Sequence, residues 1–189
     1  MEKYPYSDDL FVIRHFLDEA DCAALIRKAE MIGFKEAEVD FGNGVQRKFT
    51  GIRNNERIMY DDPGLAAKLW EKAKAFIPAS INGGMARGFN EMFRFYKYSE
   101  RQRFKQHRDG SFKRNERERS CLTFLIYLNE GFEGGATIFE DGTEIAPVTG
   151  QALVFLHPLK HQGSMVSSGC KYVLRTDVLY LFPNECEHI

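Results

Sequence analysis

The sequence predicts an α+β fold in which two helices near the N-terminus pack on one face of a jelly roll. Three observations carry this. The chain has 189 residues, 43% of them hydrophobic, which suits one domain, 1–189, with a real core. Its apolar period changes near residue 90 from helical to strand-like. Beyond that point short apolar runs alternate with glycine turns, and 16 Phe and 8 Tyr supply the aromatic packing of a β-rich core.

The helical lead-in spans about 1–90. Asp18 caps a first helix through Ala20, Ala23, Leu25, Ile26 and Ala29, and Gly33 stops it. Pro63 after Asp62 opens a second, with an apolar stripe of Leu65, Leu69, Trp70, Ala73 and Phe76; Pro78 and Asn82-Gly83-Gly84 end it. The core, about 91–183, holds candidate strands at 92–98, 104–109, 121–128, 135–139, 151–156 and 171–182. The helices precede the strands and do not alternate with them, which points away from a parallel sheet.

Composition narrows the function classes. Lys and Arg number 26 and Asp and Glu 27, a net charge of −1, so a globally basic nucleic-acid binder is not expected. No apolar run is long enough to cross a membrane as a helix, and Met1 to Asp9 has no signal-peptide apolar stretch. Cys22, Cys121, Cys170 and Cys186 lack CxxC spacing, which suits reduced thiols in a cytoplasmic protein.

The chemistry gathers around His107-Arg108-Asp109. Residues i and i+2 of a strand face the same side, so one imidazole and one carboxylate can reach a single ion. The pair alone carries little weight. His161 follows the apolar run Ala152 to Leu156, and two imidazoles with one carboxylate form the facial triad of non-haem Fe(II) oxygenases, with positions left for ligands. His157 is the rival third ligand; His161 is favoured because Gly163, Val166, Gly169 and Lys171 follow it. Lys171 and Arg175 lie on one strand face. A cation buried there calls for an anionic partner such as a dicarboxylate, whereas a surface reading pairs Arg175 with Asp177 or another acid.

Together these residues resemble the Fe(II)/2-oxoglutarate-dependent dioxygenases, most closely the prolyl 4-hydroxylase-like branch, over about Phe93 to Tyr180. Tyr98, nine residues before His107, fits the family tyrosine that helps hold 2-oxoglutarate. His107-x-Asp109 fits the first two iron ligands. Leu125-Ile126-Tyr127-Leu128-Asn129 and then Gly134-Gly135-Ala136-Thr137-Ile138-Phe139 fit its strand, loop and GGxTxF segment. His161-x-Gly163, Val166 and Gly169-x-Lys171 fit the third ligand and the basic residue for the distal carboxylate. Phe16-Leu17-Asp18-Glu19 and Arg53-Asn54-Asn55-Glu56-Arg57 are similar to the branch's lead-in. Three features depart from the pattern: Ser99-Glu100-Arg101-Gln102-Arg103 replaces a Gly-rich turn, Phe104 replaces a Tyr, and Tyr172 to Asp177 replaces a Trp-containing strand. The last leaves Lys171 and Arg175 as alternative or joint carboxylate clamps, with Lys171 slightly favoured by spacing and Arg175 offering the better fork.

The resemblance implies a double-stranded β-helix (jelly roll, cupin-like), with Fe(II), 2-oxoglutarate and dioxygen as reactants and ascorbate as a supporting reductant. It implies hydroxylation of a prolyl-type protein side chain or a small amino-acid-like substrate, with 2-oxoglutarate decarboxylated to succinate. Halogenating relatives lack the carboxylate ligand, so Asp109 argues for hydroxylation. Loops 99–103, 110–120 and 40–60, with Gly42 and Gly44, are expected at the barrel mouth. Residues 94–119 carry ten Lys or Arg against four acids. A solvated rim is the favoured reading, and capture of an acidic protein or nucleic acid the other. Oxidative demethylation of nucleic acid and a non-catalytic jelly-roll binding or sensing module are the alternatives. His15, His188 and Trp70 are expected to be surface or packing residues.

Overall fold

A computed structural model describes residues 1–36 and 54–184, together with the backbone of Val39–Asp40 and Gln46–Arg47. Gly42, Gly44, Arg53, Cys186 and His188 lie outside the described residues. In chain order the elements are β1 Glu2–Ser7, β2 Leu10–Arg14, α1 Glu19–Ile32, β3 Lys35–Glu36, β4 Val39–Asp40, β5 Gln46–Arg47, β6 Glu56–Asp61, α2 Pro63–Ala73, β7 Ser80–Ile81, β8 Gly84–Phe89 and β9 Met92–Tyr98. The rest are β10 Phe104–His107, β11 Glu118–Tyr127, β12 Glu133–Gly134, β13 Thr137–Phe139, β14 Glu144–Ile145, β15 Ala152–Leu156, β16 His161–Gly163, β17 Val166–Ser168 and β18 Lys171–Leu181.

Both helices start and stop where the sequence directs. The Asp18 carboxylate accepts from the Asp21 amide at 2.7 Å, and Gly33, at φ 88°, returns its N–H to the Ala29 carbonyl. Asp62 accepts from the Leu65 amide at 2.9 Å, one residue before Pro63. The α2 stripe ends at Ala73, so Phe76 packs from the turn beyond the helix rather than from within it. Trp70 meets Phe89 edge-on at 5.4 Å, a packing contact as expected.

The strands form a large antiparallel sheet in the order β1-β2-β15-β11-β18-β9-β6-β3, with β8 also on β18, and a smaller sheet β10-β16-β13-β14. These are the two sheets of a jelly roll, and they do not close into a barrel. Three expectations need correction. The lead-in is not only helical, because β1 and β2 precede α1. Leu10-Phe11-Val12-Ile13 is buried on both faces and therefore shows no alternation: Leu10 and Val12 join the core between the sheets, Phe11 and Ile13 the core under the helices. The stretch through Arg57 is not all loop, since Glu56 and Arg57 begin β6, paired to β9. The strand expected over 104–109 ends at His107.

β18 organises the large sheet. It pairs with β11 along its length, with β9 over Lys171 to Arg175 and with β8 over Val178 to Leu181. Residues of the large sheet alternate between two cores. Phe93, Phe95, Phe124 and Leu174 face the helices, while Tyr96, Tyr98, Val173 and Phe155 face the small sheet. Phe124 is fully buried between Phe16 and Phe89, with ring centroids at 5.0 and 4.6 Å. Phe124→Ala should cost about 3–5 kcal/mol in denaturant unfolding; a loss under about 1 kcal/mol would mean this face is not the core.

Candidate metal centre

The inner face of β18 and the paired β10 and β16 converge on one point. His107 and His161 are register partners across β10 and β16, and their rings lie 4.4 Å apart. Asp109, two residues beyond the end of β10, turns its side chain inward, where it is 4% exposed. His107, Asp109 and His161 each offer a ligand atom, all within 4.8 Å of one another, and they form the one such group found among the described residues.

Backbone carbonyls set the tautomers. His107 Nδ1 lies 2.8 Å from the Lys105 carbonyl and His161 Nδ1 2.9 Å from that of Leu159. Each carbonyl can only accept, so each Nδ1 carries the proton and each Nε2 lone pair is left for a metal. These Nε2 atoms face Asp109, at 3.6 and 3.8 Å from its two oxygens. Phe104 stacks on His107 at 3.5 Å, and Phe155 holds His161 edge-on at 4.6 Å. Burial pushes the His161 imidazole down to about 4, against the pull of Asp109, which keeps it neutral and able to donate its lone pair.

The two basic candidates have different surroundings. Arg175 pairs with Asp109 Oδ1 at 2.9 Å and Asp177 Oδ1 at 3.0 Å, and Arg94 closes on the other oxygen of Asp177 at 3.0 Å. Burial alone would raise the Asp109 carboxyl, but the Arg175 guanidinium holds it well below the usual carboxylate range. Burial would likewise lower Arg175, but Asp109 and Asp177 raise it. Lys171 has no carboxylate partner among the described residues. It is 4% exposed, its Nζ donates to the Gly135 carbonyl at 2.5 Å, and it lies 5.3 Å from the ring centroids of both Tyr98 and Tyr127. Burial pushes its ammonium down to about 7. Gly135, at φ 69°, lets the backbone approach this closely: a Cβ there would stand 3.2 Å from Lys171 Cδ and 2.9 Å from the Phe132 ring.

The donor set fits a divalent cation such as Fe(II): two imidazoles, each with Nε2 turned inward, and one ionised carboxylate converge. The lone buried ammonium, one of whose three donors is satisfied, fits a ligand carboxylate. One cavity touches all of these groups, including His107, Asp109, His161, Lys171 and Arg175.

Residues 93–176 match the model of the 2OG-Fe(II) oxygenase superfamily. That superfamily's chemistry uses Fe(II), 2-oxoglutarate and dioxygen, and its enzymes are dioxygenases. Among solved structures, the chain is similar to a viral collagen prolyl hydroxylase from Paramecium Bursaria Chlorella virus-1 in its 2OG complex, with 22% identity over 92% of this chain and 97% of that one and a TM-score of 0.66. A Pseudomonas putida prolyl-4-hydroxylase gives 20% identity, 93% and 94% coverage, and 0.64. A Trichoplax adhaerens prolyl hydroxylase, in complex with a hypoxia inducible factor oxygen degradation domain peptide fragment, gives 16%, 93% and 84%, and 0.70. At these identities the likeness shows the fold, the double-stranded β-helix of prolyl hydroxylases. No match was found among curated proteins. No described helix is long and apolar enough to cross a membrane.

Sequence reasoning missed the polar groups behind the candidate metal site. Thr123 contacts Asp109, Asp177 contacts Arg175, and Arg94 contacts Asp177 in turn; only the i, i+2 spacing of Arg175 and Asp177 signalled any of this. Arg175→Met in the metal-free protein should cost about 3–5 kcal/mol, because it strands Asp109 in the interior and leaves Asp177 to Arg94 alone. In the wild type the depressed Asp109 contributes stability above the ordinary carboxylate range, and this is lost as pH falls through its folded value. In the variant, burial acts unopposed and protonation relieves it. The deficit measured by denaturant unfolding should therefore be largest near pH 7 and shrink towards about pH 4; a deficit independent of pH would contradict the pairing.

Proposed function

We propose that the protein is an Fe(II)- and 2-oxoglutarate-dependent hydroxylase acting on a side chain of a peptide or protein, prolyl or similar. The carrying observation is the convergence of His107, Asp109 and His161 on one point, with the unmatched Lys171 lining the same cavity. In this reading His107, Asp109 and His161 hold the iron. Lys171, with Tyr98 opposite it in the β9–β18 register, takes the distal carboxylate of 2-oxoglutarate. When bound, iron and cosubstrate supply the oxidising chemistry, with 2-oxoglutarate decarboxylated to succinate. The chain's part is to orient and to exclude water. Phe104, Phe139 and Phe155 wall the imidazoles with hydrocarbon, and Tyr96, Tyr98 and Val173 line the floor.

Arg175 is the weaker clamp candidate because its charge is already matched by Asp109 and Asp177. A peptide substrate is supported by the Trichoplax relative, which is described with a bound peptide fragment. A small amino-acid-like substrate is the second option within the same chemistry. Three described cysteines are free, in keeping with a cytoplasmic protein.

His107→Ala or Asp109→Ala should abolish succinate formation from 2-oxoglutarate while the protein stays folded. Lys171→Ala should raise KM for 2-oxoglutarate about 30-fold or more, the cost of a lost buried charge pair, with a smaller change in kcat. Normal turnover by either ligand variant would refute the iron site, and an unchanged KM in Lys171→Ala would refute the clamp.

A further inference from the structure

His157, the rival ligand of the sequence reading, is not among the three converging groups. It is 4% exposed and sits behind Asp109 in a chain of hydrogen bonds. Thr123 Oγ1 donates to Asp109 Oδ2 at 2.6 Å. His157 Nδ1 lies 3.1 Å from the same Thr123 oxygen, and His157 Nε2 2.8 Å from Ser120 Oγ. Ser120 Oγ in turn accepts the Phe112 backbone N–H at 2.8 Å.

The two ends fix the direction of this chain. Asp109 is ionised and can only accept, so the Thr123 proton points at it, and Thr123 must accept from His157 Nδ1–H. That leaves Nε2 as the acceptor for the Ser120 hydroxyl, whose own lone pair faces a backbone N–H that can only donate. Neutral His157 fits every link, and burial favours that form.

A bulge in β11 makes the chain possible. Ser120 opposes Leu179 of β18 and Leu122 opposes Val178, so Cys121 is the extra residue. Without it, Ser120 and Thr123, three apart, would face opposite sides of the sheet. With it, both reach the same imidazole, and the Cys121 carbonyl accepts the His157 backbone N–H at 3.1 Å. The outer end is tied as well: Ser111 Oγ donates to the Ser120 carbonyl at 2.6 Å, and Ser120 N–H to that of Phe112 at 2.8 Å. Since Phe112 lies three residues after Asp109, the bonds form a closed ring through the side chains and the 109–112 backbone.

We infer that Thr123 and His157 are positioning residues for the metal: they fix the rotation of the Asp109 carboxylate and anchor its loop to Ser120. The inference rests on Asp109 being a metal ligand. An apolar core position would need neither a fixed tautomer nor a bulge, and Thr123 spends its only proton on Asp109.

The test is anaerobic Co(II) titration of the whole protein, followed by visible absorption, with the melting temperature of each metal-free variant recorded. Thr123→Val keeps the shape and removes the hydroxyl; Thr123→Ser restores it. Asn at 157 places its amide nitrogen near Nδ1 and can still donate to Thr123, whereas Gln places its amide near Nε2 and cannot. Thr123→Val and His157→Gln should weaken Co(II) binding about 10–100-fold, while Thr123→Ser and His157→Asn stay within about threefold of wild type. Wild-type affinity in folded Thr123→Val would overturn the inference. So would equal losses in all four variants that track their melting temperatures, since that is the mark of a purely structural role. If wild type binds no Co(II), or His161→Ala binds it as well as wild type, the iron site itself fails and this inference falls with it.

Discussion

The pairing of Arg175 with Asp109 and Asp177 is the interaction on which the rest of the site depends. Two carboxylates and a guanidinium in this interior would each be costly alone. Together they neutralise one another, and Arg94 adds a second cation from β9. The arrangement keeps Asp109 ionised without a bound metal, which is the state a divalent cation needs. It also separates two basic residues that sequence alone ranked only slightly, favouring Lys171 by spacing. Arg175 is matched, so the charge left for an incoming carboxylate is that of Lys171, held by one carbonyl between two tyrosine rings.

The fold supplies this site by burying one sheet on both faces. The helices cover the outer face and the small sheet the inner one, so polar groups of β11 and β18 face a narrow, mostly apolar interior in which few strong contacts decide the geometry. Local backbone devices refine it. Gly135 brings a carbonyl up to Lys171, and the bulge at Cys121 turns Ser120 and Thr123 towards one imidazole. Carbonyls two residues before His107 and His161 fix the tautomers of both candidate ligands.

Much of this was legible because it is local. Asp18, Gly33, Asp62 and Pro63 mark helix ends by capping chemistry that acts within a turn, and β9, β15 and β18 lie within a residue of their expected bounds. His107, Asp109 and His161 could be named as candidates because metal-ligating residue types are few and their spacing follows strand and loop length, and the structure brings the three together. The illegible parts are non-local. β2 carries no alternation because both its faces are buried, so it did not read as a half-buried strand. The loss of β10 pairing after His107 moves Asp109 off the strand, yet its pull towards Arg175, 66 residues on, brings it back to the same point. The register shift at Cys121 exists only in the pairing of β11 with β18, and no residue type there announces it.

The central claim is that this cavity binds Fe(II) and then 2-oxoglutarate, and it can be tested without knowing the substrate. Fe(II) and then 2-oxoglutarate would be added to the purified protein under strict exclusion of oxygen, with the visible spectrum recorded after each addition. The account predicts a charge-transfer band that appears only with both present and is missing in His161→Ala. A folded wild-type protein that gives no band, or the same band from His161→Ala, would contradict it.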